Sequence, residues 1–483
     1  MAGPDPACPT IAIIGGGFSG AAMAFHLARR GLRATVFEPK ALGAGLAYGT
    51  DDPAHRLNAR AQRMSMVPET QTHFCDWIAA SGACQDDDAA VLPDGRIFPR
   101  RAVYGRYVAA QLAPFLKSGA VRHISARVET LRKENECWRV ESAGQPAFAA
   151  DIVILATGHA PPEAPARLAA ALAGHEKFIA DPTIPCATNR IGNNDRVLIV
   201  GTGLTMADVV ASLTHHGHTG NITAVSRRGQ APRGHAAQEA APFGEFANTR
   251  MEGSLALLRH VRTTVETAQQ AGIRWQCVFD ALRAQAQQIW QKLPAPEKRR
   301  MMRHLRPFWD VHRHRLPPQV AAALHRRMLD GTLDIKAASV ADATRRDGAM
   351  RVGLRQRGTQ NIAHQDFDAV IITTGPGPAN RNDPNALIDQ LITAGWLRPD
   401  PLGQGLQCDS QSRAINQNNH PTNNLLIAGP LARGHFGELM SVPEIALQLD
   451  GLAARLLADI VGHGIETPQA RPGGFAPWTP SKG

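Results

Sequence analysis

The sequence predicts an α/β fold: two Rossmann-type dinucleotide-binding domains, one inserted in the other, with a helical insertion. Three observations carry that expectation. A strand, glycine turn, helix and second strand open the chain between Thr10 and Glu38. The same unit recurs in altered form from Val197 to Gly229. Each copy leads to a strand-rich meander and an apolar strand ending in Thr-Gly, at Ala156-Thr157-Gly158 and at Ile372-Thr-Thr-Gly375.

In the first unit, Thr10 to Ile14 is a short apolar run of strand type. Gly15, Gly17 and Gly20 form the G-x-G-x-x-G pattern, with Phe18 and Ser19 in the turn. The first glycine allows a sharp turn, the second allows backbone to approach a pyrophosphate, and the third allows the helix to lie close to the strand. Ala21 to Arg30 reads as the helix, whose free N–H groups and partial positive charge suit a diphosphate. Ala34 to Phe37 is the second strand. Glu38 ends it, where a carboxylate can accept hydrogen bonds from a ribose diol.

Composition limits the alternatives. A chain of 483 residues can bury a large core, and 43% hydrophobic with 19% charged residues are globular values. No apolar run reaches membrane-spanning length, and the first nine residues do not read as a signal peptide. Seven scattered cysteines contain no C-x-x-C pair, which argues against a disulfide framework, a redox dithiol or a cysteine zinc site and fits the cytoplasm. The formal charge is +10, but aromatic content is only 5%. Stacking platforms for nucleic acid are therefore scarce, and anionic cofactors and substrates explain the charge better.

After Glu38, the glycine-rich segment around Tyr48 and Asn58 could wrap a ligand or be a plain surface loop. A helix is expected from Tyr104 to Leu116. The apolar strand Asp151 to Leu155 ends at Thr157-Gly158, as a central parallel strand entering a site would. Residues 181–195 read as a linker. In the second unit Gly201 and Gly203 are followed by Leu204 and Thr205, but Met206 replaces the third glycine, so the helix should sit further from its strand. Its second strand ends in Ser226-Arg227-Arg228, which suits a 2′-phosphate better than a ribose diol. The structural alternative is a vestigial unit with an arginine-bearing loop.

Residues 254–329 read as helical and basic. His312 and His314, two apart, do not have the spacing of a helical metal pair, so no metal site is expected. A last strand ends at Gly429-Pro430 and precedes a helix from Val442 to Ile460. Gly429 is well placed to meet the ribityl chain or pyrophosphate of a flavin. His435 and Glu438, just beyond it, are the polar residues expected nearest the flavin ring, or else helix caps.

These segments, together with Ala47-Tyr-Gly-Thr50, Leu57-Asn58 and Trp309-Asp-Val-His-Arg-His-Arg315, resemble the bacterial FAD/NAD(P)-binding proteins of the YdhS type over residues 10–460. That family is similar to flavin-dependent monooxygenases, including N-hydroxylating enzymes and a urate hydroxylase branch. The resemblance implies FAD on the first unit and NADPH (or NADH) on the second. The repeated plan gives an FAD-binding domain at 1–185 and 365–464 and an NAD(P)H-binding domain at 186–364 with its helical insert at 250–330, and the Pro, Gly and Ser content of 465–483 reads as a disordered tail.

The expected function is that of an oxidoreductase in which NADPH reduces FAD and oxygen is used to hydroxylate a small molecule. The cofactor carries the hard chemistry, which explains why no acid–base triad is visible. Hydroxylation requires exclusion of water, and Trp275, Trp290 and Trp309 of the helical insert could supply the cover. The alternatives are a reductase or dehydrogenase with another acceptor, and a non-catalytic flavin-binding sensor. The sequence names neither the substrate nor the oligomeric state.

Overall fold

The structure, a computed structural model, describes residues 9–158, 162–248, 253–346, 348–375 and 386–462. The expected tail at 465–483 lies outside them. In chain order the strands are β1 (Ile11–Ile14), β2 (Ala34–Phe37), β3 (Val121–Ile124), β4 (Val128–Glu134), β5 (Cys137–Ser142), β6 (Phe148–Ala150) and β7 (Ile152–Leu155). Then follow β8 (Phe178–Ile179), β9 (Val197–Val200), β10 (Ile222–Ser226), β11 (Leu333–Arg346), β12 (Ala349–Gln356), β13 (Ile362–Phe367) and β14 (Ala369–Ile372). The last two are β15 (Arg413–Ile415) and β16 (Pro421–Ile427).

Two sheets share one plan. The first runs β15-β16-β7-β1-β2-β3, parallel except at β15, and draws its strands from both ends of the chain. The second runs β13-β12-β11-β10-β9-β14-β8, parallel from β11 to β8. In each, the glycine-turn strand (β1, β9) is central, with strand order reversing beside it. Ligands bind outside the carboxyl ends of strands at such a switch point. Strands β1, β7, β9 and β14 are almost wholly buried, which is why their sequences are continuous apolar runs rather than alternating ones.

Among the helices that pack on these sheets or build the insert are α1 (Phe18–Arg29), α2 (Arg101–Ser118), α3 (Leu204–His215), α4 (Ser254–Gln270), α5 (Trp275–Lys292), α6 (Arg306–Arg313), α7 (Pro318–Leu329) and α8 (Val442–Gly462). Helix α1 is buried on nearly all sides, because α2 and α8 pack on it as well as the sheet. Its alanines at 21, 22, 24 and 28 allow that approach. Helix α2 extends the expected Tyr104–Leu116 span to Arg101–Ser118 and tolerates Pro114 near its end.

The expected helical insert has a core of its own, in which Phe246, Leu257, Val278, Leu282 and Ile289 cluster. Its last helix, α7, instead packs on α3 of the second unit and leads into β11. One boundary differs from expectation. The expected boundary at 365 puts strand β14 on the side of the returning first unit, although its Thr-Gly ending belongs to the second copy. It pairs with β9 in the second sheet, so the return to the first sheet comes later in the chain. The 181–195 segment is not plain linker either, since it contains the 3-10 turn Ala187–Arg190, and Asp195 pairs with Lys177 at 2.8 Å.

Candidate functional site

The first turn sits at the carboxyl end of β1. Gly15 has φ +100, and a Cβ there would lie 2.6 Å from the Ala156 carbonyl oxygen, so the Ala156-Thr157 backbone excludes any side chain. A Cβ on Gly20 would collide with the Gly15 carbonyl oxygen. These two glycines are required by the chain itself. Gly17 is different: a Cβ would meet only Gly45, at 3.5 Å, an ordinary contact. Its bareness leaves open space at the start of α1, which fits a pyrophosphate cradle.

Helix α1 begins at Gly17 with no side-chain cap and no acidic residue in its first turn. Its first N–H groups and dipole are therefore available to an anion. Glu38 is held in place, with Oε2 accepting from the Gly16 N–H at 2.9 Å and Oε1 from the Lys40 N–H at 3.1 Å. A carboxylate offers about four lone-pair sites, so capacity for a ribose diol remains. Gly429 approaches the same place from the other end of the chain: a Cβ there would collide with the Ser19 hydroxyl. Gly158 has nothing within 4 Å of its would-be Cβ. These residues fit FAD.

Phe18 and Tyr48 belong to an aromatic cluster. Their rings meet edge to face at 6.1 Å, and Tyr48 lies 4.6 Å from Tyr104. Burial raises the Tyr48 and Tyr104 hydroxyls above the usual phenol range. All three tyrosines of the chain, including Tyr107, share this cluster.

The second turn opens into a cavity of about 2100 Å³. Gly201, with φ +121, is pressed against Thr373, while a Cβ on Gly203 would meet nothing within 4 Å. Helix α3 begins at Gly203, again without a cap or an early acid. Gly201, Gly203, Leu204, Thr205, Ser226, Arg227, Arg228 and Asn58 all line the cavity. Met206 is fully buried in the core of this unit, filling the space the third glycine would have left. The Ser226 hydroxyl accepts from Thr202 Oγ1 at 2.9 Å and from the Gly229 N–H at 3.0 Å, so it braces the turn. Arg228 stacks over Phe308 at 4.9 Å, and Arg227 is exposed.

Sequence reasoning missed Arg357. It follows β12, and its backbone N–H donates to Ala337 at 2.8 Å, the residue paired with Ser226. It lines the cavity beside Arg227 and Arg228. No local pattern could reveal it, because β11 and β12 must first fold back to bring residue 357 to residue 226.

The far walls come from the insert and the 429–442 loop. Glu438 and Trp309 line the cavity, but Glu438 is committed to protein partners. Its Oε1 accepts from Trp309 Nε1 at 2.7 Å, and its Oε2 accepts from Arg313 Nε at 3.1 Å. His435 is not among the cavity-lining residues, and its ring packs on Phe436. The expected His435–Glu438 pair is thus divided between two environments. Trp290 donates to the Gly434 carbonyl at 2.9 Å and lines the cavity with Trp309, whereas Trp275 packs against Phe279 and His312 outside its walls.

His312 and His314 line the cavity. Burial, reinforced by Arg313, Arg283 and Arg306, pushes the His314 imidazole down to about 3. His235, whose Nε2 donates to the Asn58 carbonyl at 2.9 Å, is pushed down to about 4 by burial. Both rings are neutral near pH 7. Among the described residues no group of three or more His, Cys, Asp or Glu is placed to hold a metal, and no helix is long and apolar enough to cross a membrane.

Comparison with known proteins agrees with this geometry. The sequence model of the FAD-NAD(P)-binding family matches residues 12–160. A search of curated protein sequences gives no match. Among solved structures, the ornithine N-hydroxylase of Kutzneria sp. 744 is similar at TM-score 0.65 and 15% identity, over 95% of this chain and 100% of that one. The ornithine hydroxylase of Pseudomonas aeruginosa gives 0.62 and 13%, over 93% and 99%. The L-lysine 6-monooxygenase of Pseudomonas syringae gives 0.59 and 16%, over 95% and 100%. At these identities the likeness is one of fold: the chain has the α/β, Rossmann-type architecture of these flavoproteins.

Proposed function

We propose that this protein is an FAD-dependent, NADPH-using monooxygenase that hydroxylates a small molecule. The observation that carries the reading is the pair of uncapped, acid-free helix starts behind glycine turns, the second opening into a cavity roofed by the helical insert. The family match at 12–160 supports FAD and NAD(P) as the ligand class. The likeness in fold to ornithine and lysine hydroxylases supports the reaction class. Within that class, the motif set resembles the YdhS-type proteins and their urate hydroxylase branch.

In this reading Gly15, Gly17, Phe18, Ser19 and Gly20 hold the FAD diphosphate, Glu38 the adenosine ribose, and Tyr48, Thr157, Gly158 and Gly429 border the rest of the molecule. Gly201, Gly203, Leu204 and Thr205 hold the NADPH diphosphate, and Ser226, Arg227 and Arg228, with Arg357, surround the 2′-phosphate. The FAD-binding part comprises both ends of the chain and the NADPH-binding part the middle. Bound FAD would supply the transfer of reducing equivalents from NADPH to oxygen. Trp290 and Trp309 form part of the cavity wall, and the Arg313–Glu438 pair holds the Trp309 side of it in place. We assign His435 no step, and Glu438 a positioning role. The free cysteines suit a reducing cytoplasm.

The net reaction consumes one NADPH, one proton, one oxygen and the substrate C–H or N–H, and yields NADP⁺, water and the hydroxylated product. The test is simultaneous measurement of NADPH oxidation, oxygen uptake and product over a panel of amines and purines. A monooxygenase couples all three to one substrate. Flavin reduction by NADPH that needs a different acceptor replaces this reading with that of a reductase.

A further inference from the structure

The cavity is basic in composition: among the described residues its walls carry eight arginines against four carboxylates. Arg227, Arg228 and Arg357 are accounted for above by a 2′-phosphate. Arg433 is not. It begins the short helix Arg433–Phe436, just past the Gly429 turn, and lines the cavity with Arg306 and Gln404. The residue is half-buried; among the described residues its buried Nε has no hydrogen-bond partner, and its Nη1 donates to the Met440 sulfur at 3.3 Å.

The nearby acids are already engaged. Asp310 pairs with Arg306 at 3.3 Å, and Asp400 Oδ2 accepts from the Leu402 and Gln404 N–H groups at 2.8 and 3.0 Å. Burial first, and then Arg306, push the Arg433 guanidinium down to about 10. A guanidinium remains charged under these conditions, and the buried part of an unpaired charge carries a desolvation cost that a bound anion would offset. The chain supplies no carboxylate to Arg433 within ion-pair distance among its described residues, so an anion that pairs with this half-buried guanidinium comes from outside.

We propose that Arg433, with Arg306 beside it, is an anion-recognition subsite that takes the carboxylate of the small molecule the enzyme turns over. This rests on the monooxygenase reading above. A carboxylate is favoured because its two oxygens match the planar guanidinium fork. Arg306, bound to Gln404 at 3.3 Å and to Asp310, is the weaker member, since part of its charge is already met.

The test titrates the full-length, NADP⁺-saturated protein with benzoate and with its neutral isostere benzamide. Tryptophan fluorescence reports binding, because Trp290 and Trp309 line the same cavity. Benzoate should bind saturably and benzamide should not. Arg433→Gln should weaken benzoate roughly tenfold or more, the loss expected for a charge-assisted hydrogen bond. Arg433→Lys should recover part of it. Both variants should retain FAD and lose no thermal stability, because no protein carboxylate is left unpaired.

The proposal is overturned by no saturable benzoate binding, by equal binding of benzamide, by unchanged benzoate affinity in Arg433→Gln, or by benzoate binding that is saturable only when NADP⁺ is omitted, which would give the arginine to the nucleotide. Inorganic phosphate binding more tightly than benzoate would replace the carboxylate. Loss of FAD in Arg433→Gln would assign the residue to the flavin and overturn the subsite. The titration needs no turnover, so a protein that binds benzoate through Arg433 but does not oxidise NADPH sinks the monooxygenase reading and leaves the anion site standing.

Discussion

Two glycines of one motif have opposite consequences when substituted. Gly20→Ala places a methyl group against the Gly15 carbonyl, so the fold must shift and stability should fall by about 1–3 kcal/mol, the cost of overpacking. Gly17→Ala meets only Gly45 at 3.5 Å, so the protein should melt as before yet bind FAD more weakly. Gly17→Val should abolish FAD binding. Melting curves and flavin content of the purified variants check both outcomes; equal FAD content in Gly17→Val and the unchanged protein would remove Gly17 from the site. This much was legible in the sequence, because a turn of six residues is a local object. Arg357 was not. Its place beside Ser226 depends on β11 pairing with both β10 and β12. Arg357→Ala should cut the preference for NADPH over NADH roughly tenfold if it meets the 2′-phosphate, with little effect on NADH. Steady-state rates with the two nucleotides measure this.

At the scale of elements, the insert is held to the first unit by a small polar network. Arg313 is only 6% exposed and donates to Glu438 and to Ser441, while Arg283 pairs with Glu444 at 2.8 Å. Removing one member of such a pair leaves a buried charge, so Arg313→Ala should lower stability by about 3–5 kcal/mol. A shift of the denaturation midpoint reads it, and a shift near zero would mean that the insert is not anchored there. The sequence placed Glu438 beside the flavin for its type and position, but its partners come from a helix more than a hundred residues earlier. Helix content was readable from periodicity; which carboxylate answers which arginine was not.

His235 adds a pH dependence at a different contact, since it ties the segment after β10 to the Asn58 loop. Its imidazole is depressed to about 4 in the fold and titrates near 6.5 when unfolded. The unfolded chain therefore binds more protons between these values, and stability should fall as pH drops from about 6.5 to 4. The loss is on the order of 3 kcal/mol at most for this one group. Denaturation midpoints across that range should fall less steeply in His235→Gln. An identical slope would show that other groups dominate the acid response.

On the scale of the whole molecule, two sheets that share one central order, β7-β1-β2-β3 and β14-β9-β10-β11, bring two dinucleotide turns into one chain, and the insert lines the cavity at the second. The repeated plan was visible in sequence because each copy carries its own strand, glycines and Thr-Gly ending. The partition was less so: the boundary expected at 365 cuts β14 off from the second copy whose Thr-Gly ending it carries, and its pairing with β9 puts it in the second sheet. An apolar four-residue strand carries no label for the sheet it joins.

The central claim, that this chain passes reducing equivalents from NADPH to bound FAD, is tested most directly by anaerobic rapid mixing of the FAD-loaded protein with NADPH and, separately, with NADH. The account predicts bleaching of the oxidised-flavin absorbance by both, roughly tenfold faster with NADPH, as about 1.5–3 kcal/mol of phosphate pairing requires. A flavin spectrum that neither nucleotide changes would contradict it.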